Sequence, residues 1–221
     1  MIINLIRRTT IFLKICSSFL RQFQSPENRV LGKIVLKYMN VRHKRKFEKV
    51  IGEIEWTEIG SVLDIACGGG QFIYQAAIAH PEVRFTGIDV SPASVMTARK
   101  LLESRQNCMI HEGTVFSLPF SHGEFDVITA FAAVYYWDNL DNAFRELFRV
   151  QKNGGILFVE CTQYSHNYDA INSALEDTIK GARFRDEKTV VAAMKKAGYQ
   201  NIFAFKTQHP FFICITAAKP L

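Results

Sequence analysis

The chain has 221 residues, about the length of one large domain, and its 48% hydrophobic against 22% charged residues is a globular balance that excludes disorder and collagen. Its net charge of +6 is unevenly spread: residues 1–50 hold twelve Lys/Arg against Glu27 and Glu48, a balance of +10, which leaves −4 for the remainder. Such a basic head fits a solvated helix face complementing an acidic body better than a dedicated arm for nucleic acid or anionic lipid.

Apolar residues at Ile2, Leu5, Ile6, Phe12, Leu13, Cys16, Phe19, Leu20 and Phe23 follow helical spacing, so the first element is an amphipathic helix. Arg7, Arg8, Lys14 and Arg21 interrupt it too often for a membrane span. Lys14 and the lack of an A-x-A-like site disfavour a secretory signal, whereas a transit peptide stays open. Peripheral membrane contact through residues 1–23 is a further option. Gln24 to Asn28 form a turn, with Ser25 as N-cap and Pro26 at the first helical position. A second basic helix runs to about Tyr38 and a third from Lys44 to Glu53. The five cysteines are widely separated, without a C-x-x-C pair, and read as free thiols of a cytoplasmic protein.

From Ser61 the texture changes to short apolar runs alternating with helical segments, the βαβ pattern of a parallel sheet. The strands expected are Ser61 to Ile65, Arg84 to Ile88, Met109 to Glu112, Phe125 to Phe131 and Gly155 to Glu160. Helices are expected at Phe72 to Ala79, Pro92 to Glu103, Asn139 to Val150 and Asp186 to Ala197, the last capped by Asp186 and closed by Gly198. The final strands, Asn201 to Thr207 and Phe211 to Ala217, lie three residues apart, too close for a parallel crossover, so they pair as an antiparallel hairpin. The expected fold is α/β: a doubly wound, mostly parallel seven-stranded sheet, with residues 1–50 as a helical cap and 51–221 as the ligand-binding domain.

Val62 to Phe72 reads as a strand, a glycine loop and a helix, an arrangement that points backbone N–H groups at a ligand. The dinucleotide fingerprint fails because Ile73 stands where its third glycine belongs, and no G-K-[ST] follows as in a phosphate loop. Asp89 ends the second strand nineteen residues past Gly70, where a carboxylate accepts ribose hydroxyls; the capping role beside it falls to Ser91, followed by Pro92.

V-L-D-I-A-C-G-G-G, G-I-D-V-S, H-E-G-T-V-F-S-L-P-F, F-D-V-I-T-A-F-A-A-V-Y-Y-W and E-L-F-R-V-Q-K-N-G-G-I-L-F stand in one order. In that order they resemble the class I S-adenosylmethionine-dependent methyltransferases, in particular the type 11, UbiE-like group of small-molecule enzymes. The resemblance covers about Val50 to Glu160. It implies that S-adenosyl-L-methionine lies with its methionine end on the backbone of Ala66, Cys67, Gly68 and Gly70, with its ribose on Asp89, Val90 beside the adenine and Phe131 on the wall. Many relatives place an Asp after the third strand to bind the adenine amino group. Thr114 stands there here, so adenine recognition falls to backbone groups of Thr114 and Val115. Asp64 orders the glycine loop.

Tyr135, Tyr136 and Trp137 follow the fourth strand at the edge where open sheets bind ligands, and at least one is expected to face the acceptor. Packing of all three under the basic cap is the alternative. Asn40 and His43 belong to an M-N-x-x-H segment resembling some small bacterial members of the group, in which N-terminal helices cover the site. Methyl transfer needs alignment rather than a protein nucleophile; where a base is required, Glu160 and His43 are the candidates, with His111 more often structural. The expected function is methyl transfer to a small organic acceptor. Its rivals are a catalytically weak cofactor-binding protein whose head meets a membrane or partner, and an RNA methyltransferase, although the missing Asn/Asp/Ser-Pro-Pro-aromatic tetrapeptide disfavours nucleobases.

Overall fold

The computed structural model describes residues 47–162, 183, 185–206 and 212–221. The expected helices over 2–23 and up to Tyr38 lie outside the described residues, as do Asn40 and His43.

Seven strands form one sheet: β1 (Ser61–Ile65), β2 (Arg84–Asp89), β3 (Cys108–Glu112), β4 (Phe125–Ala130), β5 (Gln151–Thr162), β6 (Gln200–Lys206) and β7 (Phe212–Ala218). Their order is β3-β2-β1-β4-β5-β7-β6. β1 to β5 run parallel, and β7 is antiparallel to both β5 and β6. The doubly wound architecture and its C-terminal hairpin are therefore those expected from the sequence. β1 is central and buried at all its positions, which its unbroken run Ser-Val-Leu-Asp-Ile anticipates for a strand covered on both faces. β5 begins four residues before the expected Gly155, and its register with β4 shifts between Phe125 and Val127, a bulge of the kind common at a sheet's rim.

Among the described residues, five α-helical segments cover the sheet. α1 comprises residues 47–53; α2 is Gln71–Ala79, α3 Pro92–Leu101, α4 Leu140–Val150 and α5 Glu187–Ala197. Alternate residues of β1 face opposite layers. Val62 joins Phe47, Val50, Phe72, Ile73, Val95 and Ala98 from α1 to α3, whereas Leu63 joins Phe144, Leu147, Val190 and Met194 from α4 and α5. Each such large side chain stabilises the fold by about 1.5–3 kcal/mol relative to exposure. The caps follow the sequence: Asn139 accepts the Asn142 amide (2.9 Å), Asp186 accepts that of Thr189 (2.8 Å), and Gly198 closes α5 at φ 107°.

α1 is part of this domain. Phe47, Val50 and Ile54 are buried in the layer over β1, so a division at residue 50 would cut a packed helix. The Trp56 indole N–H donates to the Ile51 carbonyl (2.9 Å) while its ring stacks on His80 at 3.9 Å, fastening the end of α1 to α2.

Candidate active site

Strand order reverses between β1 and β4, and ligands of open α/β sheets bind beyond the carboxyl ends of the strands at such a point. The backbone there is unusual on both sides. Ala66, just past β1, has φ 55°, and Ala132, two residues past β4, has φ 53°. A residue with a Cβ in this left-handed region costs about 1–2 kcal/mol, so neighbouring contacts must hold each turn. Between them opens a cleft of about 270 Å³.

One wall is the glycine loop. Gly70 adopts φ 78° as it enters α2, and its amide closes a turn on the Cys67 carbonyl (2.9 Å). The Cys67 amide donates to Ile88 of β2 (3.1 Å). Asp89 completes the tie: its carboxylate accepts the Gly68 amide at 2.8 Å and the Ser91 amide at 2.9 Å. Burial pushes the Asp89 carboxyl above its ordinary value, against the opposing pull of those two amides. Ser91, not Asp89, caps α3, accepting the Ser94 amide at 3.4 Å.

The helix still packs tightly without the fingerprint's third glycine. Ile73 is fully buried against β2 where Gly87 leaves room; a Cβ at position 87 would lie 2.7 Å from the Ile73 and Ile110 Cδ1 atoms and 2.8 Å from the Cys67 Sγ. The missing glycine of the helix is thus supplied by the strand it crosses.

The rim beyond β3 carries Gly113, whose amide donates to the Asp89 carbonyl (3.0 Å), then Thr114, which pairs with Ser117. Glu146 and Arg149 of α4 fix the next residues. The Leu118 amide donates to Glu146 (3.0 Å), and Arg149 donates to the Leu118 carbonyl (3.0 Å) and the Phe120 carbonyl (2.8 Å).

The opposite wall is aromatic. Phe131 lies 5.0 Å from Phe72 and 5.1 Å from Phe47, ring centre to ring centre. A 3₁₀ turn, Val134–Tyr136, follows, and Trp137 is anchored edge-on against Phe144 at 5.6 Å. The Tyr135 and Tyr136 rings are 4.6 Å apart. Burial lifts the Tyr136 phenol to about 12 and the Tyr135 phenol well upward, with Tyr136 and Glu160 adding to the latter.

Of the residues singled out from the sequence, Asp64, Ala66, Cys67, Gly68, Asp89, Val90, Thr114, Val115, Phe131, Tyr136 and Trp137 come together around this cleft. Gly70, Tyr135 and Glu160 do not line it. Gly70 faces α3, with Ala98 3.0 Å from where a Cβ would sit. Glu160 is buried at the end of β5 and accepts the Ala132 amide at 3.0 Å, a contact that turns it toward the loop instead of the cavity. Asp64 accepts the Thr129 hydroxyl of β4 at 2.7 Å, so it also joins the two central strands. Phe47, Phe72 and Phe116 line the cleft and were not expected to. The stripe Phe47, Val50, Ile51, Ile54 carries a signal for Phe47, since one residue of an apolar helix face must meet the sheet's edge.

The cleft has no activated nucleophile among its described residues. Burial raises the Cys67 thiol, and Asp64 and Asp89 raise it further, so it is protonated at neutral pH. What the walls offer is a fixed carboxylate, backbone polar groups at the loop and an apolar enclosure, a set suited to aligning reactants away from water.

Residues 63–159 match the family described as Methyltransferase domain. The malonyl-[acyl-carrier protein] O-methyltransferase of Legionella pneumophila is 33% identical over 98 residues, 44% of this chain and 34% of that protein. The demethylmenaquinone methyltransferase of Chlorobaculum parvum is 30% identical over 132 residues, 60% of this chain and 52% of that one. The chain therefore spans only a third to a half of these relatives. A Haloferax volcanii structure, a methyltransferase in complex with the Trm112 methyltransferase activator, shares the fold at a TM-score of 0.72 with 18% identity, over 84% of this chain and 94% of the other. Over residues 63–159, then, the chain is similar to the methyltransferase-domain family, and the architecture around that stretch is the one the Haloferax volcanii structure shares.

Proposed function

We propose that the protein transfers a methyl group from S-adenosylmethionine to a small organic acceptor, and that the two meet in the cleft between the β1 and β4 loops. The observation that carries this reading is the placement of Asp89. Its buried carboxylate lines the cleft and accepts one amide on each oxygen, and a carboxylate offers about four acceptor sites in all, which leaves room for two ribose hydroxyls. The loop is unobstructed there as well: Gly68 lines the cleft, and a Cβ on it would meet no atom within 4 Å. Val90, largely exposed at the rim, flanks the adenine, and the backbone of Thr114 and Val115 meets its edge. Ala66, Cys67 and Gly68 present the β1 loop to the methionine end, and Phe131 closes that side.

When bound, the cofactor supplies an electrophilic methyl group on sulfur. The chain contributes alignment and exclusion of water: the Phe47, Phe72 and Phe131 rings wall off one side, and Tyr136 and Trp137 border the space left for the acceptor. Burial keeps the Tyr136 phenol and the Cys67 thiol protonated at neutral pH, so neither serves as a ready base. In this reading the basic N-terminal head, with Asn40 and His43, acts as a cap over the acceptor, in the reducing cytoplasm that the free cysteines suit. Among the described residues no helix is long and apolar enough to cross a membrane.

Methyl-labelled S-adenosylmethionine, incubated with the protein and a fractionated cell extract, tests the reading. Label should pass into the small-molecule fraction. Label confined to RNA would make the acceptor a nucleic acid, and tight cofactor binding with no transfer to any fraction would make the protein a binder alone.

A further inference from the structure

Among the described residues, Glu160 is the one buried carboxylate at this end of the sheet that does not line the cleft. Its neighbours along β5, Val159 and Cys161, are apolar and equally buried. A carboxylate in such a place is costly unless it is bonded, and its carboxyl oxygen accepts the Ala132 amide at 3.0 Å. Register explains the meeting. Ala130 pairs with Val159 at the last β4–β5 rung, so Glu160 comes level with the first residues of the loop that leaves β4. That loop makes its left-handed turn at Ala132. The turn then passes directly into the residues facing the acceptor: the Tyr136 amide donates to the Ala133 carbonyl (2.9 Å) and the Trp137 amide to the Val134 carbonyl (3.1 Å).

We propose that Glu160 is a positioning residue, which holds Ala132 in its left-handed conformation and thereby sets the wall formed by Phe131, Ala132, Tyr136 and Trp137. The inference rests on the reading of the cleft as a methyl-transfer site, but the Glu160–Ala132 coupling itself is a property of the ligand-free chain. It differs from a general-base role, since the carboxylate acts through the loop backbone and touches neither reactant.

The test is a double-mutant cycle on the full chain, read by S-adenosylhomocysteine affinity and by urea unfolding without ligand. Glu160→Ala should weaken S-adenosylhomocysteine binding on the order of tenfold, because the turn it holds also places Phe131, the one ring of this wall that closes the methionine end. Glu160→Gln, whose side-chain carbonyl still accepts the amide, should stay within about threefold. Glycine adopts the left-handed region freely, so in the Ala132→Gly background the effect of Glu160→Ala should shrink to about threefold or less. Ala66→Gly, at the other left-handed alanine, is the control and should give no such relief. If Glu160→Ala alone does not fold, recovery by Ala132→Gly and not by Ala66→Gly supports the proposal, and failure of both to recover it overturns it. Equal losses in the Gln and Ala variants, or the same loss in all three backgrounds, also overturn it. Failure of the wild-type chain to bind S-adenosylhomocysteine would remove the methyl-transfer reading, and the unfolding cycle would still decide the coupling.

Discussion

The two walls of the cleft are built from different materials. The β1 side is backbone: a glycine loop, the amides of Gly68 and Ser91 and one carboxylate that ties them together. The β4 side is side chains: Phe131, Tyr136 and Trp137 on a turn, beside rings contributed by α1 and α2. A backbone wall imposes narrow demands on sequence, because few residues adopt positive φ or allow close approach. An aromatic wall can be assembled from many sequences that fill the same volume. The first suits a constant ligand and the second a variable one, which is the division expected of an enzyme with a fixed donor and a particular acceptor.

That contrast is sharpest at Asp89. Asp89→Ala should lower S-adenosylmethionine affinity a hundredfold or more by calorimetry, since two charge-assisted hydrogen bonds of about 1.5–3 kcal/mol each are lost and the glycine loop loses its anchor. Tyr136→Leu, on the aromatic wall, should leave cofactor affinity within about threefold while changing turnover with the acceptor. Similar losses in both variants would mean that the walls do not divide the ligands between them.

Gly87→Ala probes the packing beneath the backbone wall. Its new methyl would press at once on Ile73, Ile110 and Cys67, so unfolding stability in urea should fall by about 1–3 kcal/mol. Adding Ile73→Val should restore part of it, and strictly additive effects would show that the two positions do not share space.

The rim beyond β3 should respond to acid. The Arg149 side chain holds the Glu146 carboxyl below its ordinary 4.5, the Leu118 amide helping despite partial burial. A depressed carboxylate stabilises the fold above its unfolded value, and the contribution is lost as pH falls through the folded one. Glu146→Gln should therefore cost about 1 kcal/mol at neutral pH and nothing well below pH 4. Asp89 has the opposite sign: burial raises it, so its contribution favours the fold at low pH and is lost as pH rises through its folded value. The smallest effect is expected at Thr114→Asp, which places a carboxylate where the family resemblance expects one and should leave cofactor affinity equal or slightly tighter by calorimetry.

The same contrast explains what could be read from the sequence. β1 is bounded in the structure as its pattern predicts, and the strand–loop–helix around Gly68 carries its own signature. Ile73 is a departure visible in the sequence, but its compensation by Gly87 is not, since the two lie on different elements and meet only when α2 crosses β2. The link from Glu160 to Ala132 is hidden for the same reason: it depends on the register of β4 with β5 across 28 residues. The Val134–Tyr136 turn has no periodic signal, because three residues are too few to show one. Phe47 stands in a basic stretch; its apolar stripe marks it for burial, and the packing of α1 brings it to the cleft.

The central claim is that one cleft, at the carboxyl ends of β1, β2 and β4, takes S-adenosylmethionine on its backbone side. Amide chemical-shift mapping of the isotopically labelled chain during titration with S-adenosylmethionine tests it most directly. Saturable shifts should concentrate at Ala66 to Gly69, Asp89 to Ser91 and Gly113 to Phe116, with smaller ones at Phe131 to Ala133 and none along the β6–β7 hairpin. Absence of saturable shifts at Gly68 and Asp89, or a pattern centred on another face of the sheet, would contradict the account.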